Sequence, residues 1–450
     1  VERDRAEEHR TELEGLFEVL LGDLHAKLRS LGKAQLLLSA ADKIKSYYQA
    51  RPINWARPNA VTLRAKAFAS MGDIMFTAGE IAAAHTHYEE ASKLLEQLRD
   101  RQHKTSDDDS RLLATFYLAS TQLLLEERKP AEALERALRA EATMQEIAAR
   151  DPSPSNMRLM ATIYENAGSG LLLQGENQKA LGRFQSFLQV LQTLEDQSPA
   201  PENRRGIPIA RMKLGDAHFA ERELDKALEQ WRQAIPLFQA LLDSEPDDFN
   251  RYRLLSLSNE NIANALAAQK KYLEAQRAYD ESLSVAERLA QLDIENLDAQ
   301  LDLALLYRRI ADFSEAQGIF QKALSWRTAS QDLLIRLTTL QPEKGEWKNL
   351  LSESYLASAK TLALLGDPGN APLQPVDCSG TYDPHTMTQD HQFYDGACCF
   401  ALQGDSEKAF EYLDQALNRG YDSEHMRVDP NLESLHSHPR WNELNKKLSK

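Results

Sequence analysis

Apolar residues recur every three or four positions along most of the chain, a spacing that predicts amphipathic helices. Around residue 310, for example, the apolar positions are Tyr307, Ile310 and Ala311. No stretch shows the strict alternation of apolar and polar residues that a half-buried strand needs. Prolines stand between the helical segments, where a helix must stop: Pro152, Pro199, Pro246 and Pro342. The pattern predicts an all-α protein, with a kink at Pro236 inside one helix.

The helical pattern repeats, with steps of 47 to 49 residues between successive units of the main array. An alanine marks each unit, at Ala84, Ala133, Ala180, Ala227, Ala275, Ala323 and Ala409. Twelve residues earlier stands a small residue: Gly72, Thr121, Gly168, Gly215, Ala263, Ala311 and Ala397. Small residues at both places allow two antiparallel helices to pack closely. Each unit therefore predicts a helix A, a short turn and a helix B.

Two segments carry the pattern most fully, LGDAHFAERELDKALEQWRQA from Leu214 and IANALAAQKKYLEAQRAYDES from Ile262. Their spacing of Gly, Ala, aromatic and small residues resembles the tetratricopeptide repeat, a helix pair of about 34 residues. The longer unit in this chain resembles the arrays of bacterial multidomain signalling proteins. The resemblance implies a right-handed α-solenoid of antiparallel helix pairs, a tetratricopeptide-like superhelix that binds other proteins.

We expect the chain to have four parts. Residues 1–55 are expected to form an N-terminal helical cap, and residues 56–365 the long-helix array. Residues 366–388 contain four prolines where the seventh unit should have its helix B, which predicts an irregular loop. Residues 389–450 are expected to hold a shorter unit and a capping helix that begins at Pro439.

The first 50 residues and the missing initiator Met indicate whether the chain is part of a longer protein. The first 50 residues resemble the segment that follows a membrane helix in those bacterial proteins. The absence of an initiator Met favours a fragment of a longer protein, although a mature secreted product would also begin without Met. The location therefore stays open between a fragment that follows a membrane helix and a cytoplasmic protein.

Composition excludes several classes of function. The 53 Lys+Arg and 68 Asp+Glu give a formal net charge of −15, which argues against a nucleic-acid or anionic-membrane surface. No apolar run approaches the roughly 18 residues that span a bilayer. Three cysteines cannot build a multi-bridge framework and lack zinc-type spacing. His436 and His438 form an HxH pair, too few ligands for a metal, so neither a metal nor a cofactor is expected.

The sequence has no glycine-rich phosphate loop, nucleophile elbow or HExxH motif, so no enzyme activity is expected. One enzyme hypothesis remains, a Cys-dependent enzyme, because Cys398 and Cys399 follow His385 and His391 in the sequence. The two cysteines stand beside the small packing position Ala397, which favours small buried residues without a catalytic role.

Polar helix A residues that are not needed for packing within a unit are expected to line a concave groove. The expected groove residues are Asn166, Lys213, Asn261, Asn264, Arg309, Asp216, Asp312, Leu257 and Leu305. Their i, i+4, i+7 spacing places an apolar shelf beside a polar ladder on one helix face. The Asn amides can pair with the backbone of an extended peptide of any sequence.

Lys213 and Arg309 add a preference for acidic side chains or a C-terminal carboxylate. The alternative is that the ladder is an ordinary solvated face, in which Asp216 and Asp312 pair with these two cations.

The sequence therefore predicts a non-enzymatic scaffold that binds a protein or peptide in the groove. The resemblance implies the sensory or regulatory region of a larger bacterial signalling protein. The alternative is a self-assembly module that drives homo-oligomerisation. Nucleic-acid binding and membrane insertion of this segment are not expected.

Overall fold

A computed structural model of the chain describes residues 16–17, 34–102, 106–245, 248–342, 344–365, 378, 390–402, 404–421, 426 and 429–447. Within these ranges all regular secondary structure is helical, which confirms the expected all-α class. The chain divides into two compact units, residues 1–244 and 245–450. In each unit, helices pack mainly against their neighbours along the chain, so each is a stack of helix pairs.

The helices of the first unit are α1 (Leu38–Gln49), α2 (Pro58–Thr77), α3 (Ile81–Gln102), α4 (Asp107–Glu126), α5 (Pro130–Arg150), α6 (Pro154–Leu173), α7 (Asn177–Gln197), α8 (Pro201–Ala220) and α9 (Leu224–Ser244). Those of the second are α10 (Phe249–Ala268), α11 (Tyr272–Leu292), α12 (Leu297–Ala316), α13 (Phe320–Leu340), α14 (Gly345–Leu364), α15 (Asp390–Leu402), α16 (Ser406–Asn418) and α17 (Pro439–Lys447). Short 3-10 helices cover Ala34–Leu37 and Pro430–Leu435. From α2 to α13, even-numbered helices are helix A and odd-numbered helices are helix B.

Local chemistry explains where many of these helices begin. The side chains of Ser106, Asp248 and Asn296 each accept a hydrogen bond from a backbone N–H in the first turn of the following helix. Proline opens other helices, where its missing N–H removes no helical bond: Pro58, Pro130, Pro154, Pro201 and Pro439. Helix α9 continues through Pro236, so the proline at which we expected a kink does not end this helix.

The turn between helix A and helix B places one residue in the left-handed region of backbone space. Glycine takes this place at Gly79, Gly175 and Gly318, with φ of 83°, 76° and 74°. Arg128, Arg222 and Lys270 take it in other pairs, with φ of 56°, 60° and 60°. In each turn the next backbone N–H donates to the carbonyl five residues earlier, at 2.8 to 2.9 Å. The same turn therefore sends helix B back along helix A in every pair from α2 to α13.

The small residues pack as the sequence predicts. The marker alanine of helix B is fully buried in every unit from Ala84 to Ala409. A Cβ added to Gly168 would lie 2.5 Å from Cε1 of Phe184, and one added to Gly215 would lie 2.4 Å from Nε1 of Trp231. Both distances are shorter than van der Waals contact. The aromatic ring of helix B thus occupies the space that glycine leaves free on helix A.

The last helices of the second unit enclose a core of their own. Phe393 and Phe400 of α15, Phe410 of α16 and Trp441 of α17 belong to this core, which also includes the 3-10 turn before α17. Leu356 of α14 packs against it. The helix predicted to begin at Pro439 is present, and it supplies part of the core as a capping helix would.

The cysteines correct one sequence-based interpretation. Cys398 and Cys399 are buried, as expected of small core residues. Cys399, however, is also bonded to Cys378 in a disulfide. Sequence spacing could not show this bond because it depends on where residue 378 lies beside α15.

Parts of the expected four-part division fall outside the described residues. The cap at 1–55 is described at residues 16–17 and from residue 34 onward, where α1 lies. The loop at 366–388 is described at Cys378. The division itself stays a prediction. In the described ranges, no helix combines the length and the apolarity needed to cross a bilayer.

Candidate functional site

A side-chain interaction joins helix A to helix B at the same register position in several pairs. The acceptor directly follows the small residue of helix A, and the donor stands four residues after the marker alanine of helix B. The pairs are Tyr88 Oη with Asp73 Oδ1 (2.5 Å), Trp231 Nε1 with Asp216 Oδ1 (3.1 Å), Tyr279 Oη with Asn264 Oδ1 (2.5 Å) and Arg327 Nη1 with Asp312 Oδ1 (3.0 Å).

The sequence contains a signal for these contacts that sequence reasoning missed. Where helix B carries Phe184, which has no donor, the helix A residue is Ser169 instead of Asp or Asn. Where helix B carries Ala137, the helix A residue is Gln122. Donor and acceptor therefore change together from one repeat to the next.

Three predicted groove residues, Asp216, Asn264 and Asp312, accept these intramolecular contacts. Burial raises the pKa of Asp216, although the charge of Lys213 and the hydrogen bond from Trp231 favour its carboxylate form. These acceptors act within the helix pair. Contact of the same side chains with a ligand stays a prediction.

Arg327 of α13 takes the donor position that an aromatic residue holds in other pairs. Its buried guanidinium lies 3.0 Å from Asp312 and 2.7 Å from Glu315, and Nε donates to Thr361 Oγ1 of α14 at 3.2 Å. Burial alone would raise the pKa of Glu315, but hydrogen bonds from Thr361 and Arg327, with the charges of Arg327 and Lys360, lower it. Arg327 therefore links the α12–α13 pair to α14.

Three other predicted groove residues meet in one pocket of the second unit. Leu257 of α10 and Leu305 and Arg309 of α12 line a cavity of about 60 Å³ between these two A helices. The remaining apolar lining residues are Ala286, Leu289, Ala299 and Leu306. The structure thus brings together an apolar floor from α10, α11 and α12.

Two ion pairs join α10 and α12 at this pocket. Arg253 Nε lies 2.5 Å from Asp302 Oδ2, and Arg309 Nε lies 2.5 Å from Glu260 Oε1. The arginine side chains are 51% and 54% exposed, against 26% for Asp302 and 8% for Glu260. The carboxylates therefore lie on the inner side and the guanidinium groups at the rim. Burial raises the pKa of Glu260, although Arg309 and Asn264 favour its charged form.

These contacts replace the intrahelical pairing of Arg309 with Asp312 that the sequence left open. Arg253, Glu260 and Asp302 were missed by sequence reasoning. A signal for Arg253 existed, because Arg111 and Arg158 stand at the same register position in earlier units. Nε of Arg111 donates to Asn156 at 2.7 Å, and Nε of Arg158 donates to Asn203 at 3.1 Å. Each arginine reaches the next helix A.

The remaining predicted groove residues are not among those that line the pocket. Asn166 of α6 is buried, and its Nδ2 donates to the carbonyl of Thr162 at 2.8 Å. Lys213 of α8 is half-buried. Burial raises the pKa of Glu165, and the charge of Lys213 partly opposes this effect. Asn261 lies half-buried in α10.

The cysteines do not offer a reactive thiolate. Burial raises the pKa of the Cys398 thiol well above its ordinary value, and the charges of Asp429 and Asp395 act in the same direction. Cys399 is oxidised in the disulfide. A thiol held in its protonated form is a poor nucleophile. Among the described residues, no group of three or more His, Cys, Asp and Glu side chains has metal-site geometry; His385 lies outside them.

Residues 252–328, which include the pocket, match the tetratricopeptide repeat family. This segment carries tetratricopeptide repeats. This repeat family supplies protein-interaction scaffolds. A comparison with curated proteins gave no match.

Several solved structures are similar to the chain at low sequence identity. A signal transduction ATPase with numerous domains and a tetratricopeptide repeat sensor, from Pyrococcus horikoshii, is 13% identical, with 91% of this chain and 48% of that chain covered and a TM-score of 0.47. Aspartyl phosphate phosphatase F from Bacillus subtilis is 12% identical, with 90% and 94% covered and a TM-score of 0.47. A Rap protein complexed with competence and sporulation factor is 11% identical, with 90% and 97% covered and a TM-score of 0.41. At these values the similarity carries no information about the ligands of this chain.

Proposed function

We propose that this tetratricopeptide repeat chain is a non-catalytic scaffold that binds a protein or peptide segment on the helix A face of its second unit. The pocket between α10 and α12 carries the proposal, because it combines an apolar floor with polar groups at its rim. Its volume of about 60 Å³ is far below the roughly 300–1,000 Å³ of a small-molecule site. One aliphatic side chain of a partner fits it better than a cofactor does.

The rim groups support an extended partner segment. Arg253 and Arg309 are half-exposed, and each is held on its inner side by a carboxylate. Their outer N–H groups are therefore oriented toward solvent, where they can donate to backbone carbonyls or carboxylates of a bound segment. Because each guanidinium already pairs with a carboxylate, less side-chain entropy is lost when a ligand arrives than for an unpaired arginine.

A selection of phage-displayed random peptides on the whole chain tests this function. Peptides enriched on the unmodified chain should share an aliphatic position. They should bind at least tenfold more weakly to a Leu257→Gln, Leu305→Gln double variant, measured by fluorescence anisotropy. The matched control is Ile209→Gln, which changes the equivalent half-buried position of α8 in the first unit. Equal affinity for the double variant, or no enrichment at all, would contradict the proposal.

We further propose that the scaffold is the sensory or regulatory region of a larger signalling protein, as the sequence resemblance implies. In that arrangement, occupancy of the pocket is the input and an attached effector domain is the output. Fusion of the chain to its native neighbouring domains, followed by measurement of their activity with and without a selected peptide, tests this step.

A second candidate function is self-association through the second unit. Three apolar side chains stand exposed at the A-to-B turns of its first two pairs: Tyr272 at 41%, Leu273 at 70% and Ile319 at 46%. Exposed apolar groups of this kind favour association with another surface. Light scattering over a concentration series should show an oligomer that Leu273→Glu with Ile319→Glu dissociates. A strict monomer at every concentration removes this candidate.

A further inference from the structure

Of the two adjacent cysteines in α15, Cys399 forms the disulfide and Cys398 remains a thiol. Cys378 and Cys399 are buried, and their Cα atoms lie 5.9 Å apart. Adjacent helical residues point about 100° apart around the axis. Cys398 accordingly faces another part of the core, beside Tyr394, whose Oη donates to Asp429 Oδ2 at 2.5 Å. Cys399 is the residue of this pair that faces Cys378.

Cys398 is not set up to exchange with the disulfide. It is a buried free thiol, and burial with two nearby carboxylates raises its pKa. Thiol–disulfide exchange needs a thiolate that can reach the bonded sulfur. The geometry therefore keeps the bond between Cys378 and Cys399 and holds Cys398 apart from it.

The disulfide lies inside the core formed by the last helices of the second unit, which it cross-links. This core is built from α15, α16, α17 and the turn at 430–435, with Leu356 of α14 against it. Cys378 and Cys399 both belong to this core, so the bond ties the segment at residue 378 to α15. The bond joins residues 21 positions apart in sequence, which restricts the unfolded chain.

We propose that Cys378 and Cys399 are an oxidation site that stabilises the C-terminal core, and that the chain works in an oxidising compartment. The two thiols lose two protons and two electrons, and one S–S bond forms between them. The electrons pass to the disulfide of a thiol–disulfide oxidant, which leaves as a dithiol. Such bonds persist outside the reducing cytosol. This site is separate from the pocket and does not rest on the proposed binding function.

Thiol titration of the chain, produced once by export to the bacterial periplasm and once in the reducing cytosol, tests the site. Of the three cysteines, the exported chain should show one titratable thiol after denaturation without reductant, and peptide mapping should link residue 378 to residue 399. Cys398→Ser should keep the bond and show no thiol. Cys378→Ser should lose the bond and show two. Cytosolic protein should show three.

Thermal unfolding distinguishes a stabilising bond from an incidental one. Dithiothreitol should lower the unfolding midpoint of the exported chain and of Cys398→Ser by several degrees, and it should leave Cys378→Ser unchanged. Three thiols in the exported chain, a bond to Cys398, or a midpoint that does not respond to reductant would each overturn the proposed site. Complete oxidation in the cytosol would overturn the assignment of compartment.

Discussion

The side-chain oxygen of Asn264 is the hydrogen-bond acceptor for the hydroxyl of a buried tyrosine. The Tyr279 hydroxyl donates to Asn264 Oδ1 at 2.5 Å, and the ring of Tyr279 is buried. A buried hydroxyl without a partner costs free energy of folding. The acceptor residues next to the small position of helix A are therefore part of the packing, even though they read in the sequence as an exposed polar ladder.

Asn264→Ala should lower the free energy of unfolding by about 1–2 kcal/mol, because the Tyr279 hydroxyl loses its acceptor. Urea unfolding followed by circular dichroism measures the change. Ser169→Ala is the matched control, since Ser169 stands at the same register position opposite Phe184, which donates no hydrogen bond. Equal effects of the two substitutions would show that the donor–acceptor match does not matter.

Two glutamates should respond to pH in opposite directions. Burial raises the pKa of Glu165 above 4.5, so its charge destabilises the folded state at neutral pH. Hydrogen bonds from Thr361 and Arg327 lower the pKa of Glu315 below 4.5, so its charge stabilises the folded state there. Glu165 contributes stability that is complete in acid and is lost as pH rises through its raised pKa. Glu315 contributes stability that is lost as pH falls through its lowered pKa.

At pH 7, Glu165→Gln should therefore raise the thermal midpoint, and Glu315→Gln should lower it. The difference for Glu165→Gln should shrink as the pH falls through the raised pKa toward 4.5. The difference for Glu315→Gln should shrink only below about 4.5, as the pH falls through the lowered pKa. Differential scanning fluorimetry across pH 3 to 8 measures them. Shifts of the same sign at pH 7, or shifts that do not depend on pH, would contradict these two pKa directions.

At the scale of elements, charged side chains link neighbouring helices in addition to the apolar core. Arg327 reaches Asp312 and Glu315 on α12 and Thr361 on α14. Arg253 and Arg309 pair with carboxylates between α10 and α12. The polar contacts of Arg327 thus join helix B of one pair to helix A of the next.

Arg327→Gln should lower the free energy of unfolding by about 2 kcal/mol, less than the roughly 3–5 kcal/mol of a fully buried pair, because Asp312 is exposed. Guanidinium unfolding followed by circular dichroism provides the measurement. The control is Arg150→Gln, which removes an exposed pair with Asp107 and should produce no measurable change. If the two variants were equally stable, the buried contacts of Arg327 would not stabilise the fold more than an exposed ion pair does.

At the scale of the whole molecule, the contacts of each helix are mostly with its neighbours along the chain. Stability in such arrays is approximately a sum of repeat and nearest-neighbour terms. A perturbation in one pair should therefore stay close to that pair. A globular domain with one shared core would instead loosen throughout.

Gly168→Ala tests this locality, because its Cβ would lie 2.5 Å from Phe184 Cε1. The crowding should destabilise the α6–α7 pair by about 1–3 kcal/mol. Hydrogen exchange followed by mass spectrometry should speed up in α6, α7 and the adjacent helices, with no change in α15 and α16. Gly182→Ala is the control, because nothing lies within 4 Å of its added Cβ. Uniformly faster exchange in every helix would contradict the repeat model.

The helix pairs could be predicted because their signals are local. The marker alanines, the small residues twelve positions earlier and the prolines between pairs all act within one unit. Helix formation, the turn and the close packing of Gly215 under Trp231 depend on residues a few turns apart. Periodicity and side-chain size therefore determined the pairs and their register.

The site could be predicted only in part. Leu257, Leu305 and Arg309 were placed in the groove from register alone, and the structure brings them into one pocket. Arg253, Glu260 and Asp302 were missed, because their roles depend on which charges of α10 and α12 face each other.

By itself, the sequence determined an all-α array of helix pairs with small residues between the helices, because these properties follow from spacing and size within a unit. The tertiary structure determined which side chains pair with each other. Arg309 pairs with Glu260, Arg327 takes Asp312, and Cys378 is bonded to Cys399 while Cys398 stays a thiol. Each of these choices depends on how side chains from different helices meet in three dimensions, which a one-dimensional pattern does not contain.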